Sequence, residues 1–175
     1  MKRKEISKYY LGIFSIKNFN ELDIRSLGQF SLILFIDNIS KHLGHWVTVV
    51  KASGKLIFLD SYGHKPAFYK KKIRNRYSSF NRYLKSRLQS DFSTTCGAYC
   101  VFIVDLISHS RYDISRFTET FLNIFKGKNL IVNDKYIVRY IFNVYPRIKN
   151  KRCVSLFCNA KFITNFKKCI MNVCS

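Results

Sequence analysis

Four side chains have the types that a thiol-based hydrolytic site requires, and they occur in the order His45, Asp60, Gln89, Cys96. A cysteine attacks a carbonyl as its thiolate, so it needs a lowered pKa, which the positive end of a helix and an imidazolium neighbour both supply. Cys96 heads the apolar run CGAYCVFIVDLISHS, just after Thr94 and Thr95, either of which is a natural helix N-cap. Gly97, next in line, puts no side chain in the way of a substrate backbone pressed against the nucleophile. His45, followed by Trp46, is the candidate base; Asp60 is the carboxylate that would fix its tautomer. Gln89 carries a side-chain amide that, with the Cys96 backbone N–H, can donate to a developing oxyanion. Singly each feature is commonplace, since most cysteines are small buried hydrophobes and a lone histidine more often fills a surface or core position. The ordered set carries the reading. His42 lacks the tryptophan partner, His64 follows Asp60 too closely to be held by it across a hairpin, and both, with His109, are read as filler.

Those residues need strands and a helix to converge. Residues 30–37 (FSLILFID), 46–50 (WVTVV) and 56–60 (LIFLD) are short, β-branched and aromatic, and read as strands. Ser53-Gly54 is a tight-turn signal between the last two, so they form an antiparallel hairpin that returns Asp60 to the end of the sheet where His45 sits. The basic stretch from Ala67 to about Asn81 has apolar residues at spacings of 3 to 5, which predicts an amphipathic helix. Residues 83–89 read as another short strand, and helices are expected from Cys96, over 114–126 and over 136–144. Strands in the first half and helices in the second make the fold α+β, a central mixed or antiparallel sheet packed by helices. With 175 residues, two prolines and no linker-like or repeated segment, the chain reads as one domain over 1–175, with a basic, cysteine-rich tail from about 159.

The order histidine, acid, glutamine, cysteine resembles the adenovirus protease family, and through it the clan of the SUMO-type deconjugating proteases. His45-Trp46 matches that family's His-Trp pair, Asp60 its acidic residue, Gln89 its oxyanion glutamine and Cys96-Gly97 its nucleophile with the following glycine. The seven-residue interval from Gln89 to Cys96 matches as well. YYLGIF at 9–14 and LDSYGHKP after strand three are also similar, and the likeness runs more loosely to about Cys158. Two departures stand out: the acid is Asp where mammalian adenoviruses carry Glu, and the segment after Cys158 has no counterpart. The resemblance implies an adenain-like fold and cleavage of viral precursor polypeptides after glycine, at hydrophobic-x-Gly-Gly or hydrophobic-x-Gly-x-Gly sites. A tunnel walled by Trp46 would select that glycine. It also implies peptide and DNA activators, a monomer, and a place in the host nucleus and virion, the cytoplasm being the other possibility. A ubiquitin-like protein deconjugase would use the same residues. From another class, a non-catalytic basic virion protein is the alternative.

Thirty-one Lys and Arg against ten Asp and Glu give a formal charge of +21, which favours a polyanionic partner, although an AT-rich coding sequence also produces such a composition. Lys70, Lys71, Lys72, Arg74, Arg76, Arg82, Lys85 and Arg87 form the densest basic run, suited to phosphates rather than to bases, so DNA binding would be non-specific. A solvated cationic face is the competing account. Neither a signal-peptide pattern nor a membrane-span-length apolar run is present, so neither secretion nor membrane insertion is expected, and the six cysteines read as thiols. Cys153, Cys158, Cys169 and Cys174 have a C-x4-C-x10-C-x4-C spacing at the loose edge of zinc sites, so ordinary thiols are favoured over zinc, and no metal or other cofactor is required for the chemistry. The family resemblance suggests instead that the basic tail acts in cis as a tethered peptide activator. Deleting residues 160–175 is then expected to lower peptide cleavage; activity unchanged without the tail removes the idea.

Overall fold

The three apolar runs of the first half become adjacent strands because each is buried on both faces, which is why their sequences are nearly continuous in hydrophobic residues. In the computed structural model, which describes residues 10–145 except 41–42, 92 and 110–113, they are β2 (Phe30–Ser40), β3 (Leu43–Ala52) and β4 (Lys55–Leu59). With β1 (Tyr10–Ser15) and β5 (Arg82–Tyr83) they form a five-stranded sheet in the order β1-β2-β3-β4-β5. The sheet is mixed: β2, β3 and β4 are antiparallel neighbours, while β1 and β5 add in parallel at the two edges. The hairpin between β3 and β4 turns at Ser53 (φ 49°) and Gly54 (φ 72°), the left-handed pair that matches the right-handed twist of the flanking strands.

Side chains alternate cleanly across this sheet. Val47, Val49, Leu56 and Phe58 face a layer made by α1 (Ile16–Glu21), Tyr69 and Ile73, whereas Val50, Ile57 and Leu59 face α3 (Cys96–His109). Beyond α3 lie α4 (Ile114–Phe125) and α5 (Leu130–Val144), whose Phe121, Phe125, Ile137 and Ile141 close the second core. Each such fully buried aliphatic or aromatic side chain contributes on the order of 1.5–3 kcal/mol. No helix among the described residues is long and apolar enough to cross a membrane.

Three elements depart from the sequence reading. The expected helix over 67–81 is broken into a 3-10 turn (Pro66–Tyr69), a single turn α2 (Lys70–Ile73) and a second 3-10 stretch (Arg74–Ser79). Lys70 and Arg74 are like charges at i,i+4 spacing, which disfavours a continuous helix, and Arg74 leaves helical geometry altogether at φ 52°, ψ −139°. The expected strand over 83–89 stops after Tyr83, because β4 has ended at Leu59 and the chain turns to donate Leu88 and Gln89 N–H to the Ser61 carbonyl instead, at 2.8 and 3.0 Å. Finally, α5 starts six residues before Tyr136, capped by the Asn129 side chain on the Val132 N–H at 2.8 Å. Its first buried positions are the polar Asn133 and Asp134, which hide the apolar period.

One close contact carries a stability prediction. A Cβ on Gly44 would lie 2.1 Å from the ring of Phe35, which is buried and packed against Trp46 at 4.5 Å between centroids. Gly44→Ala is therefore expected to destabilise the fold by about 1–3 kcal/mol through overpacking, read as a lowered denaturant midpoint.

Candidate functional site

The centre of the site is a carboxylate with no exposure to solvent. Asp60 is the first residue past β4; Thr48 of β3 pairs with Leu59, so Val47 would lie opposite Asp60 and His45 two positions further on the same face. His45 reaches diagonally to it, and its Nε2 lies 2.8 Å from Asp60 Oδ1. The same oxygen accepts the Tyr62 N–H at 2.8 Å, and Oδ2 accepts the Tyr69 hydroxyl at 2.6 Å with His64 Nδ1 at 3.3 Å. Four polar groups thus surround the two oxygens of one carboxylate, with His64 Nδ1 lying also 3.2 Å from the Tyr69 hydroxyl. Burial alone would raise the Asp60 pKa, but the hydrogen bonds from His45 and His64, the charge of His45 and the Tyr69 hydroxyl outweigh it and hold the carboxyl well below its usual range. An ionised carboxylate only accepts, so His45 carries a hydrogen on Nε2, and Nδ1 is the ring nitrogen left to exchange a proton with another group.

Gln89 is buried beside this pair, and every polar atom of its amide is held. Oε1 accepts the Ser61 hydroxyl at 2.6 Å, while Nε2 donates to the Ser93 carbonyl at 2.8 Å and, at a longer 3.3 Å, to the Tyr62 hydroxyl. The chain turns from Asp60 through Gly63, whose φ of +74° would strain any other residue and whose Cα faces the backbone of Ser86 and Arg87. That close approach brings the loop bearing Gln89 against the loop bearing Asp60.

Cys96 is the first residue of α3, with the Thr95 carbonyl accepting the first helical bond from Tyr99 N–H at 3.0 Å. Thr95 is therefore the backbone cap that the sequence suggested, and Gly97 follows as a buried residue of the first turn. The Cys96 thiol is buried in a cluster with Trp46, Phe35 and Cys100. It shares an electrostatic neighbourhood with the acid: the Tyr69 phenol is pushed far up by burial, then by Asp60, with a further contribution from Cys96. Cys100, one turn along α3, is pushed up to about 12, chiefly by burial, so it stays a thiol at neutral pH. Of the two, only Cys96 sits at the positive end of the helix.

The rest of the sequence-derived set is placed as follows. Trp46 is 1% exposed and packs against Phe35 in the cluster that also holds Cys96. Among the basic residues, Lys70, Lys71, Arg74, Arg82 and Lys85 are exposed, whereas Lys72 pairs with Asp37 at 3.8 Å. Arg87 is turned onto the site loops, donating to the Gln89 carbonyl at 2.9 Å and to Asp91, with its guanidinium 5.4 Å from the Tyr62 ring. The Arg76 side chain, His42 and all four tail cysteines lie outside the described residues, and no metal-ligating cluster occurs among the described ones. His64 needs a correction: it does reach Asp60, by the tight turn after β4 rather than across the hairpin, and its half-exposed ring stacks on Phe68 at 4.2 Å. Tyr62, Tyr69, Ser61 and Ser93 were not anticipated. Their only signal was proximity to Asp60 or Gln89 in sequence, and for Tyr69 not even that, since it arrives by a chain reversal. No family model matches this chain, and no curated protein matches it.

The lowered Asp60 carboxyl makes stability depend on acid in a known direction. Its folded pKa lies below the ordinary 3.8, so the unfolded chain binds a proton first. The stabilisation is full above that ordinary value and is lost as pH falls from there through the lower folded value. Asp60→Asn is expected to be less stable at neutral pH, with a shallower loss of stability below about pH 4 than the native chain, measured by urea unfolding across pH.

Proposed function

We propose that the protein is a cysteine endopeptidase with an adenain-like fold, in which Cys96 is the nucleophile, His45 the base, Asp60 the orienting acid and Gln89 an oxyanion donor. The observation that carries this is the buried His45–Asp60 pair at 2.8 Å, together with a buried thiol, Cys96, at the start of α3. The mixed sheet, followed by a helix that begins at the cysteine, supports the same reading.

In the proposed reaction, His45 Nδ1 takes the Cys96 proton, giving an imidazolium and a thiolate whose charge the start of α3 favours. The thiolate attacks the peptide carbonyl carbon. The carbonyl oxygen gains the negative charge and accepts from the Cys96 N–H and from Gln89 Nε2, whose longer bond to the Tyr62 hydroxyl is the one given up. Collapse expels the amine, which takes the proton from His45, and leaves a thioester. Water, deprotonated by the same nitrogen, then releases the acid and restores the thiol. Asp60 stays ionised throughout and stabilises the imidazolium.

Substrates are polypeptides presenting glycine at the scissile bond with an apolar residue upstream, viral precursors in the first instance and ubiquitin-like conjugates as the alternative. The enzyme works as a monomer in the nucleus or virion, and its excess cations hold it on DNA by counterion release, so that association weakens steeply with salt. Cys96→Ala is expected to abolish hydrolysis of a Leu-x-Gly-Gly peptide, and Gln89→Ala to lower kcat by about 10²–10³-fold. A glycine-ended electrophilic probe should label Cys96. Hydrolysis that survives Cys96→Ala, or a native chain that binds DNA yet never hydrolyses the peptide, overturns the assignment and leaves the non-catalytic basic protein.

A further inference from the structure

Asp134 lies in the first turns of α5, 8% exposed, and gathers donors from the loop that joins Gln89 to Cys96. Its Oδ2 accepts the Ser90 hydroxyl at 2.6 Å and the Ser90 N–H at 3.2 Å. Its Oδ1 accepts the Thr95 hydroxyl at 3.1 Å and lies 3.2 Å from the Tyr99 hydroxyl, whose single proton is shared with the Leu88 carbonyl at 2.9 Å. The neighbouring Asn133 amide donates to that same carbonyl at 3.1 Å. Burying a carboxylate is costly unless hydrogen bonds replace its water, and here every replacement comes from this loop or from the first turn of α3.

The two oxygens grip the residue immediately after Gln89 and the residue immediately before Cys96. We infer that Asp134 is a positioning residue that sets the distance between the two oxyanion donors, the Gln89 amide and the Cys96 N–H. The inference rests on the peptidase reading. Oxyanion donors act only within about 2.7–3.1 Å of the charge, and a misplacement of about 1 Å costs on the order of 10² in rate. An apolar residue at 134 would leave the loop tethered at Leu88 by Asn133 and Tyr99 but free to slide between its ends.

The test compares the native chain with Asp134→Ala, Asp134→Asn and Ser90→Ala, measuring kcat and KM on a Leu-x-Gly-Gly peptide and the rate of Cys96 alkylation by iodoacetamide. An alkyl halide develops no oxyanion, so alkylation reports the thiol and its base alone. Asp134→Ala is expected to lower kcat by about 10–10²-fold, with KM and alkylation each within about threefold of native. Asp134→Asn should recover to within about threefold, because its oxygen can serve the Ser90 N–H while its amide donates to the Thr95 and Tyr99 hydroxyls. Should Asp134→Ala fail to fold, Ser90→Ala removes one of the bonds and should lower kcat by roughly three- to tenfold at unchanged KM. Unchanged kcat in the variants, a parallel collapse of turnover and alkylation, or no recovery with asparagine overturns the inference while native turnover upholds the peptidase. Absence of Cys96-dependent turnover in the native chain overturns both.

Discussion

A fully buried, ionised carboxylate is stable only if every lone pair finds a donor, and this constraint at Asp60 organises one end of the molecule. Its four polar partners come from four separate places: His45 on β3, the Tyr62 backbone in the turn after β4, His64 at the end of that turn, and Tyr69 in the 3-10 segment beyond. Satisfying them fixes the imidazole tautomer, orients the Tyr62 ring above Arg87 and draws Tyr69 into the core under Phe58.

A second carboxylate plays an analogous part for the other half of the site. Asp60 holds His45 and Asp134 the loop between Gln89 and Cys96, and the two clusters meet at Gln89, which hydrogen-bonds Ser61 and Tyr62 on one side while Leu88 and Ser90, its neighbours, are held from α5 on the other. Buried networks of this kind are worth having only when complete, since a half-satisfied one costs more than an apolar core. A third clamp, Tyr140 and Tyr145 on Asp105, ties α5 to α3 further down.

The positive charge is spent in two ways. Part of it does internal work: the Lys51 ammonium gathers the carbonyls of Ile24, Arg25 and Leu27, and Arg87 braces the site loops. The side chains at 70, 71, 74, 82 and 85 are exposed to solvent, as a face that attracts a polyanion would require.

The amino-acid order by itself determined the strands and their hairpin, because apolar runs bounded by Ser53-Gly54 leave few alternatives, and it determined that Cys96 opens a buried helix. The pairing of His45 with Asp60 was also legible, since one antiparallel turn returns both to the same end of the sheet. What only the tertiary structure decided is who else attends the carboxylates. Tyr69 meets Asp60 through a chain reversal nine positions on, and Ser90, Thr95 and Tyr99 meet Asp134 through helix packing over 35 to 44 positions, a separation about which local pattern carries no information. Polar residues at Asn133 and Asp134 even concealed the start of α5, because a helix whose buried face begins with an amide and a carboxylate looks, along the chain, like one facing water.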